Sequence, residues 1–172
     1  MKNLEIKVAT HNIEDIKSKT IKIGAEDFGI LYQVDTYFLI GKNRLKLREE
    51  KNRSYLVFYV RPDTLNSKFS KYYIINISLF FSKFIKKSLA FIFGVKVVVN
   101  KTRNLFIYKN TRIHLDEVKS LGSYVELETV FKEGGDEEEL KKEHNFIIES
   151  LSLNKFELVK ESYSDLVLFK KL

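Results

Sequence analysis

Charged side chains recur two apart along five short segments: Glu5 and Lys7; Lys46 and Arg48; Lys101 and Arg103; Arg112, His114 and Asp116; Glu126 and Glu128. In an extended strand, residues two apart point to the same face, so each set shares a side. The opposite faces are apolar: Leu4, Ile6 and Val8; Leu45 and Leu47; Ile113 and Leu115; Val125 and Leu127. A single strand of this kind is an ordinary half-buried strand with one wetted face. Five of them, sorted into basic, acidic and mixed strands, point to a charged interior. Unpaired charge is too costly to bury, so such a channel must be wet or hold a counter-charged ligand and metal. Carboxylates on neighbouring strands suit Mg²⁺ or Mn²⁺, which take oxygen ligands. Lys and Arg suit a phosphate chain, with Arg able to make bidentate contacts. Metal plus cationic clamp is what phosphoryl transfer needs, because catalysis there is mostly positioning and charge stabilisation.

Strands must position these residues. Period-two alternation predicts them at Leu4–Val8, Gly29–Leu39, Leu45–Arg48, Tyr55–Arg61 and Tyr72–Ser78. It predicts more at Val95–Lys101, Leu105–Lys109, Arg112–Asp116 and Val125–Val130, with Lys101–Asn104 as a tight hairpin connection or its flank. Helical spacing predicts Asn12–Gly24, capped by Asn12 and stopped by Gly24, and Glu137–Leu151, opened by an Asp136/Glu139 capping box. A third helix is predicted at Leu79–Phe93, with Ser82, Lys83, Lys86 and Lys87 as a solvated face and Phe80, Phe81, Phe84, Leu89 and Phe91 as the apolar one. A short helix or turn is expected near Ser164–Phe169. Eight or nine antiparallel strands must deal with their edges, and closure into a barrel does so. The expected fold is therefore α+β, an antiparallel closed β-barrel with amphipathic helices covering its apolar outer faces.

The chain has 172 residues, enough for one domain spanning 1–172, and 44% hydrophobic content to fill its core. No cysteine is present, which excludes disulfides, thiolate metal sites and cysteine nucleophiles. Met1–Glu5 carries charge where a secretory leader needs an apolar run, and Lys83, Lys86 and Lys87 interrupt the apolar stretch Ile74–Val99. A cytoplasmic protein without a membrane crossing is expected. Thirty Lys and Arg against 23 Asp and Glu give a net charge of +7, which suggests a polyanionic partner. The channel takes up part of that charge, and lysine-rich helices explain the rest without a nucleic-acid partner.

The ordered series of these residues resembles the CYTH superfamily of class IV adenylyl cyclases, thiamine triphosphatases and inorganic triphosphatases. Asn3, Glu5 and Lys7 match its N-terminal Glu-x-Glu-x-Lys signature, with Asn3 in place of the first Glu. Gln33–Phe38, Arg44–Arg48, Tyr59–Asp63 and the Lys101/Arg103 pair resemble the strands that follow. The strongest match is Arg112–Val118, Leu121-Gly122 and Val125–Glu128, and Ser162–Leu166 resembles the tail of the cyclase-like branch. The resemblance implies a triphosphate tunnel. It implies Glu5, Glu126 and Glu128 as ligands of Mg²⁺ or Mn²⁺, with Asp116 assisting. It implies Lys7, Lys46, Arg48, Arg61, Lys101, Arg103 and Arg112 as phosphate-binding residues. Glu5, Lys7, Arg112, Glu126 and Glu128 would form the catalytic set. Asn3 removes one negative ligand from a second metal position.

The implied activity is cyclisation of ATP to cyclic AMP and pyrophosphate. The alternatives are hydrolysis of thiamine triphosphate or inorganic triphosphate, and a non-catalytic module for polyphosphate or nucleotides. Partners are thus small triphosphates, with the oligomeric state open and a homodimer among the options. His114 shares parity with Arg112 and Asp116 and can face the channel, while His11 and His144 lack metal-ligand spacing. Asp35 either orders a basic residue of the tunnel or sits at its mouth.

Overall fold

A computed structural model of the chain describes residues 2–41, 43–60, 68–131 and 136–170. Eight strands are seen among them: β1 (Lys2–Thr10), β2 (Glu26–Phe38), β3 (Arg44–Glu49), β4 (Ser54–Val60), β5 (Lys68–Ile77), β6 (Val95–Tyr108), β7 (Thr111–Val118) and β8 (Gly122–Phe131). Four helices accompany them: α1 (Ile13–Lys22), α2 (Leu79–Phe93), α3 (Glu137–Ser150) and α4 (Tyr163–Phe169). All neighbouring strands are antiparallel, in the order β1-β5-β4-β3-β2-β6-β7-β8. β1 pairs with β8 along its whole length and with β5 through Lys2–Glu5 against Lys68–Lys71, which closes the barrel. No helix among the described residues is long and apolar enough to cross a membrane.

One strand corrects the sequence reading. Lys101–Asn104 is not a hairpin connection but the middle of β6, a single strand of 14 residues. The segment has no Gly or Pro to turn on, and β6 is held along both edges, by β2 and by β7. Alternation therefore runs straight through it, leaving Lys101 and Arg103 buried on the same face. Opposite it, β2 slips register with β6 between Asp27 and Ile30, where Gly29 adopts φ 84°. That left-handed conformation suits glycine.

The outer faces of β1, β6, β7 and β8 supply one core. Ile6, Val8, Phe106, Ile113, Leu115, Val125 and Leu127 pack there with Ile16 of α1, Ile147 of α3, and Leu151 and Leu153 after it. α1 begins where the Asn12 side chain accepts the Asp15 amide, and α3 where Asp136 accepts those of Glu138 and Glu139. These caps satisfy amide donors left over by the first helical turn. The helices thus cover apolar strand faces as expected and leave the charged faces inside.

α2 reverses the expectation. Its buried residue is Ser82, whereas Phe80, Phe84 and Phe91 are 85%, 69% and 92% exposed. Ser82 Oγ donates to Glu49 of β3 at 3.3 Å, and Lys86 pairs with the same carboxylate at 2.7 Å. Glu49 points outward from the barrel, so the helix turns Ser82 and Lys86 toward it, with Ile85 and Leu89 half-buried on the same side. Lys83 and Lys87 remain exposed, but they share the outer surface with phenylalanines.

A charged cavity inside the barrel

The inward faces enclose a cavity of about 200 Å³. Glu5 and Lys7 (β1), Lys46 and Arg48 (β3), Lys101 and Arg103 (β6), Arg112 and His114 (β7), and Glu126 and Glu128 (β8) all line it. Strand register explains the convergence. On β1, β8 and β7, Glu5, Glu128 and Arg112 form one row, and Lys7, Glu126 and His114 form the next. Directly opposed residues share a face. Arg61 lies outside the described residues.

Two aspartates organise the cations. Asp35 of β2 stands opposite Arg48 of β3 and accepts from its Nε and Nη2, both at 2.7 Å, and from Lys46 Nζ at 2.8 Å. Asp116 of β7 stands opposite Arg103 of β6 and accepts from its Nε and Nη2, both at 2.6 Å, and from Lys101 Nζ at 3.3 Å. Burial pushes both carboxyls up, but the neighbouring Arg and Lys charges outweigh it and hold both below the ordinary range. Burial, reinforced by the adjacent arginine, lowers Lys46 to about 7 and Lys101 to about 8. Asp35 therefore orders two basic residues of the cavity. Asp116, expected to assist a metal, spends both carboxylate oxygens on cations and on the Tyr163 hydroxyl, which donates at 2.9 Å.

The carboxylates also meet cations. Glu126 accepts from Arg103 Nη2 at 2.9 Å and lies 3.8 Å from Lys7 Nζ. Glu128 accepts from Arg112 at 3.1 Å and from the Asn3 amide. Burial raises the Glu126 carboxyl, but His114, Lys7 and Arg103 together hold it well below its ordinary value. His114 Nδ1 lies 3.5 Å from Glu126. Burial and Arg103 lower the imidazole, favouring its neutral form. Among the described residues, no three His, Asp or Glu side chains form a ready-made metal cluster. The donor chemistry still fits a hard divalent ion, because Glu5 and Glu128 stand directly opposite on β1 and β8, with Glu126 two residues along.

α4 occupies one end of the barrel. Tyr163 and Val167 pack against inward-facing Tyr37, Val97, Val99, Val118 and Tyr124. Ser162 and Asp165 form a capping box at the start of α4, and Arg44 grips both, reaching Asp165 at 2.8 Å. Lys7 Nζ donates to the Glu161 carbonyl at 3.0 Å and sits 4.2 Å from the centre of the Tyr163 ring, with Lys101 5.0 Å from that ring. Tyr37, Arg44 and Tyr163 were missed as site residues by sequence reasoning. Arg44 shares parity with Lys46 and Arg48 and was within reach of the same argument. Tyr163 arrives from a distant helix, and no strand pattern announces it.

A sequence profile of the CYTH domain matches residues 1–163. The chain belongs to the CYTH domain family. Among solved structures, this CYTH chain is similar to the PH1012 protein from Pyrococcus horikoshii OT3, with 26% identity, a TM-score of 0.80, and coverage of 95% of this chain and 98% of that one. An adenylate cyclase candidate from Vibrio parahaemolyticus shares 16% identity and a TM-score of 0.71 over 96% and 97% of the two chains. HpAC1 from Hippeastrum, an adenylyl cyclase candidate described as having a dominant triphosphatase activity, shares 10% identity and a TM-score of 0.67 over 99% and 95%. These last two likenesses show the CYTH fold alone. Among curated proteins, none matches the sequence.

Proposed function

We propose that this CYTH chain, as one domain, is an enzyme that acts on a triphosphate bound inside the barrel with Mg²⁺ or Mn²⁺. The observation that carries the reading is a single cavity with Lys7, Lys46, Arg48, Lys101, Arg103 and Arg112 around it and Glu5, Glu126 and Glu128 along one side. Phosphate oxygens take bidentate Arg and point-charge Lys contacts well. Arg103 and Arg112 pair with Glu126 and Glu128. An incoming phosphate chain competes for those cations and leaves the carboxylates available for a metal. Glu5, Glu126 and Glu128 would hold the ion, which supplies neutralisation of phosphate charge and activation of the attacking oxygen. Asp116 and Asp35 act as counter-ions that aim the cations, so Asp116 is not assigned to the metal here. The cations orient the chain and stabilise the charge that develops on the departing phosphate.

Cyclisation of ATP and hydrolysis of a terminal phosphate share this clamp. The size of the cavity favours hydrolysis. At about 200 Å³, it is smaller than pockets for drug-sized ligands, roughly 300–1,000 Å³, and suits a phosphate chain better than a whole nucleotide. In that reaction water attacks the terminal phosphorus of inorganic or thiamine triphosphate. In the cyclase reading the ribose 3′-hydroxyl attacks the α-phosphorus, with the nucleoside outside the cavity. The test incubates the protein with triphosphate, thiamine triphosphate and ATP, each with Mg²⁺ or Mn²⁺. Orthophosphate is expected, absent from the Glu126→Gln/Glu128→Gln double variant. Cyclic AMP plus pyrophosphate would install the cyclase, and no product from any substrate would leave a binding module.

A further inference from the structure

We propose that α2 and the apolar strand faces beside it form the interface of a two-fold symmetric homodimer. The two halves of the barrel are dressed differently. α1 and α3 cover the outside of β1, β6, β7 and β8. Among the described residues, the other half carries α2 alone, which turns its phenylalanines away from the barrel. Phe80, Phe84 and Phe91 lie within a narrow arc of the helix and form its outer crest. Phe81 and Ile92 continue the apolar surface on one flank, at 54% and 65% exposure. The sheet next to the helix is apolar too. Tyr73 and Ile75 of β5 point outward opposite Phe58 and Leu56 of β4, and they are 70% and 58% exposed.

At aromatic areas of about 150–250 Å² per side chain, these exposed residues present on the order of 1,000 Å² of mostly apolar surface. The largest patch on a typical monomer is about 300–600 Å². A standard interface takes about 800 Å² from each partner. The area is therefore what a stable dimer requires, without any further segment.

Shape selects a second copy over a lipid surface. An interfacial helix immerses a crest only about 5–10 Å deep, which would wet the phenylalanines but leave the strand floor of β4 and β5 in water. A ridge beside an apolar floor is instead complementary to another ridge and floor of the same kind, as a two-fold contact demands. Lys83 and Lys87 flank the crest, and their stems can line the rim while their ammonium groups stay in water.

The oligomeric state of the purified full chain, measured by light scattering on a sizing column from about 1 to 100 µM, tests this directly. Wild type is expected at twice the chain mass, and Phe84→Glu/Phe91→Glu at the chain mass with an unchanged circular-dichroism spectrum. Ile21→Glu, which removes an exposed apolar residue on α1, is expected to remain dimeric. Because the chain has no cysteine, a single Phe84→Cys residue should cross-link copies under mild oxidation, and Ile21→Cys should not. A monomer across the whole range would overturn the proposal, whether or not it floats with phosphatidylglycerol vesicles. So would a dimer that persists in the double glutamate variant, or one that cross-links through Ile21→Cys alone.

Discussion

The Asp35 and Asp116 clamps are built to one plan on different strand pairs. Each has an aspartate directly across from an arginine, and a lysine two residues from that arginine. Their surroundings separate them. Around Asp35 the side chains of Lys46 and Arg48 keep 11% and 18% of their exposure, against 2% and 7% for Lys101 and Arg103 around Asp116. Arg103 also reaches Glu126, and Tyr163 seals the Asp116 clamp from α4. The Asp35 clamp thus presents cations alone, whereas the Asp116 clamp ties cations to the carboxylates. On the proposed function, a phosphate held by the first would leave the glutamates' contacts unchanged, and one held by the second would change them.

The largest expected difference between the clamps is in stability. Removing one partner from a buried charge cluster costs about 3–5 kcal/mol, because the others are left buried and uncompensated. Asp116→Ala should fall at the upper end of that range and Asp35→Ala at the lower, as read from urea unfolding at neutral pH. Equal losses would erase the distinction. For function, Arg48→Ala should lower kcat/KM for triphosphate by about 1.5–3 kcal/mol, the worth of a charged contact. Arg103→Ala should lower it further and alter the metal concentration needed for half-maximal rate, whereas Arg48→Ala should leave that concentration unchanged. A metal dependence that shifts equally in both variants would show that the clamps do not divide the work.

The lysines give a smaller, pH-dependent contrast. A lysine with a lowered pKa is charged below that value and neutral above it, so its hold on phosphate is present at low pH and lost as pH rises. Lys46, at about 7, should lose its charge before Lys101, at about 8. Affinity for a non-hydrolysable triphosphate should fall through this window, by up to about tenfold per pH unit for each lysine. Lys46→Arg should remove the earlier part of the fall, since arginine stays charged, and an unchanged titration curve would contradict the assignment. The smallest effect is expected for Tyr163→Phe, about 1 kcal/mol of stability from one lost hydrogen bond. Thermal unfolding measures it, and Tyr37→Phe serves as the control in the other clamp.

Strand alternation made much of this legible beforehand. Parity alone put Glu5, Lys7, Lys46, Arg48, Lys101, Arg103, Arg112, Glu126 and Glu128 on one side of their strands, and all line one cavity. Parity says nothing about which strands become neighbours. That Asp116 faces Arg103, and therefore serves cations, follows from the β6–β7 register, a tertiary property. The polar stretch Lys101–Asn104 resembles a turn in composition, although the alternation of β6 runs through it unbroken. α2 was misread for another reason. Helical periodicity separates two faces, but only the surface beneath decides which one docks, and here that surface offers Glu49. The sequence contains both faces and not the choice between them.

The seating of α4 has a kinetic consequence. On the proposed function, with one end of the barrel filled by Tyr163 and Val167, phosphates beside Lys7 and Lys101, under the Tyr163 ring, would be the first to enter and the last to leave. Release would then be ordered by depth, and the deeper product, still held by the clamp that holds the substrate, would act as a competitive inhibitor.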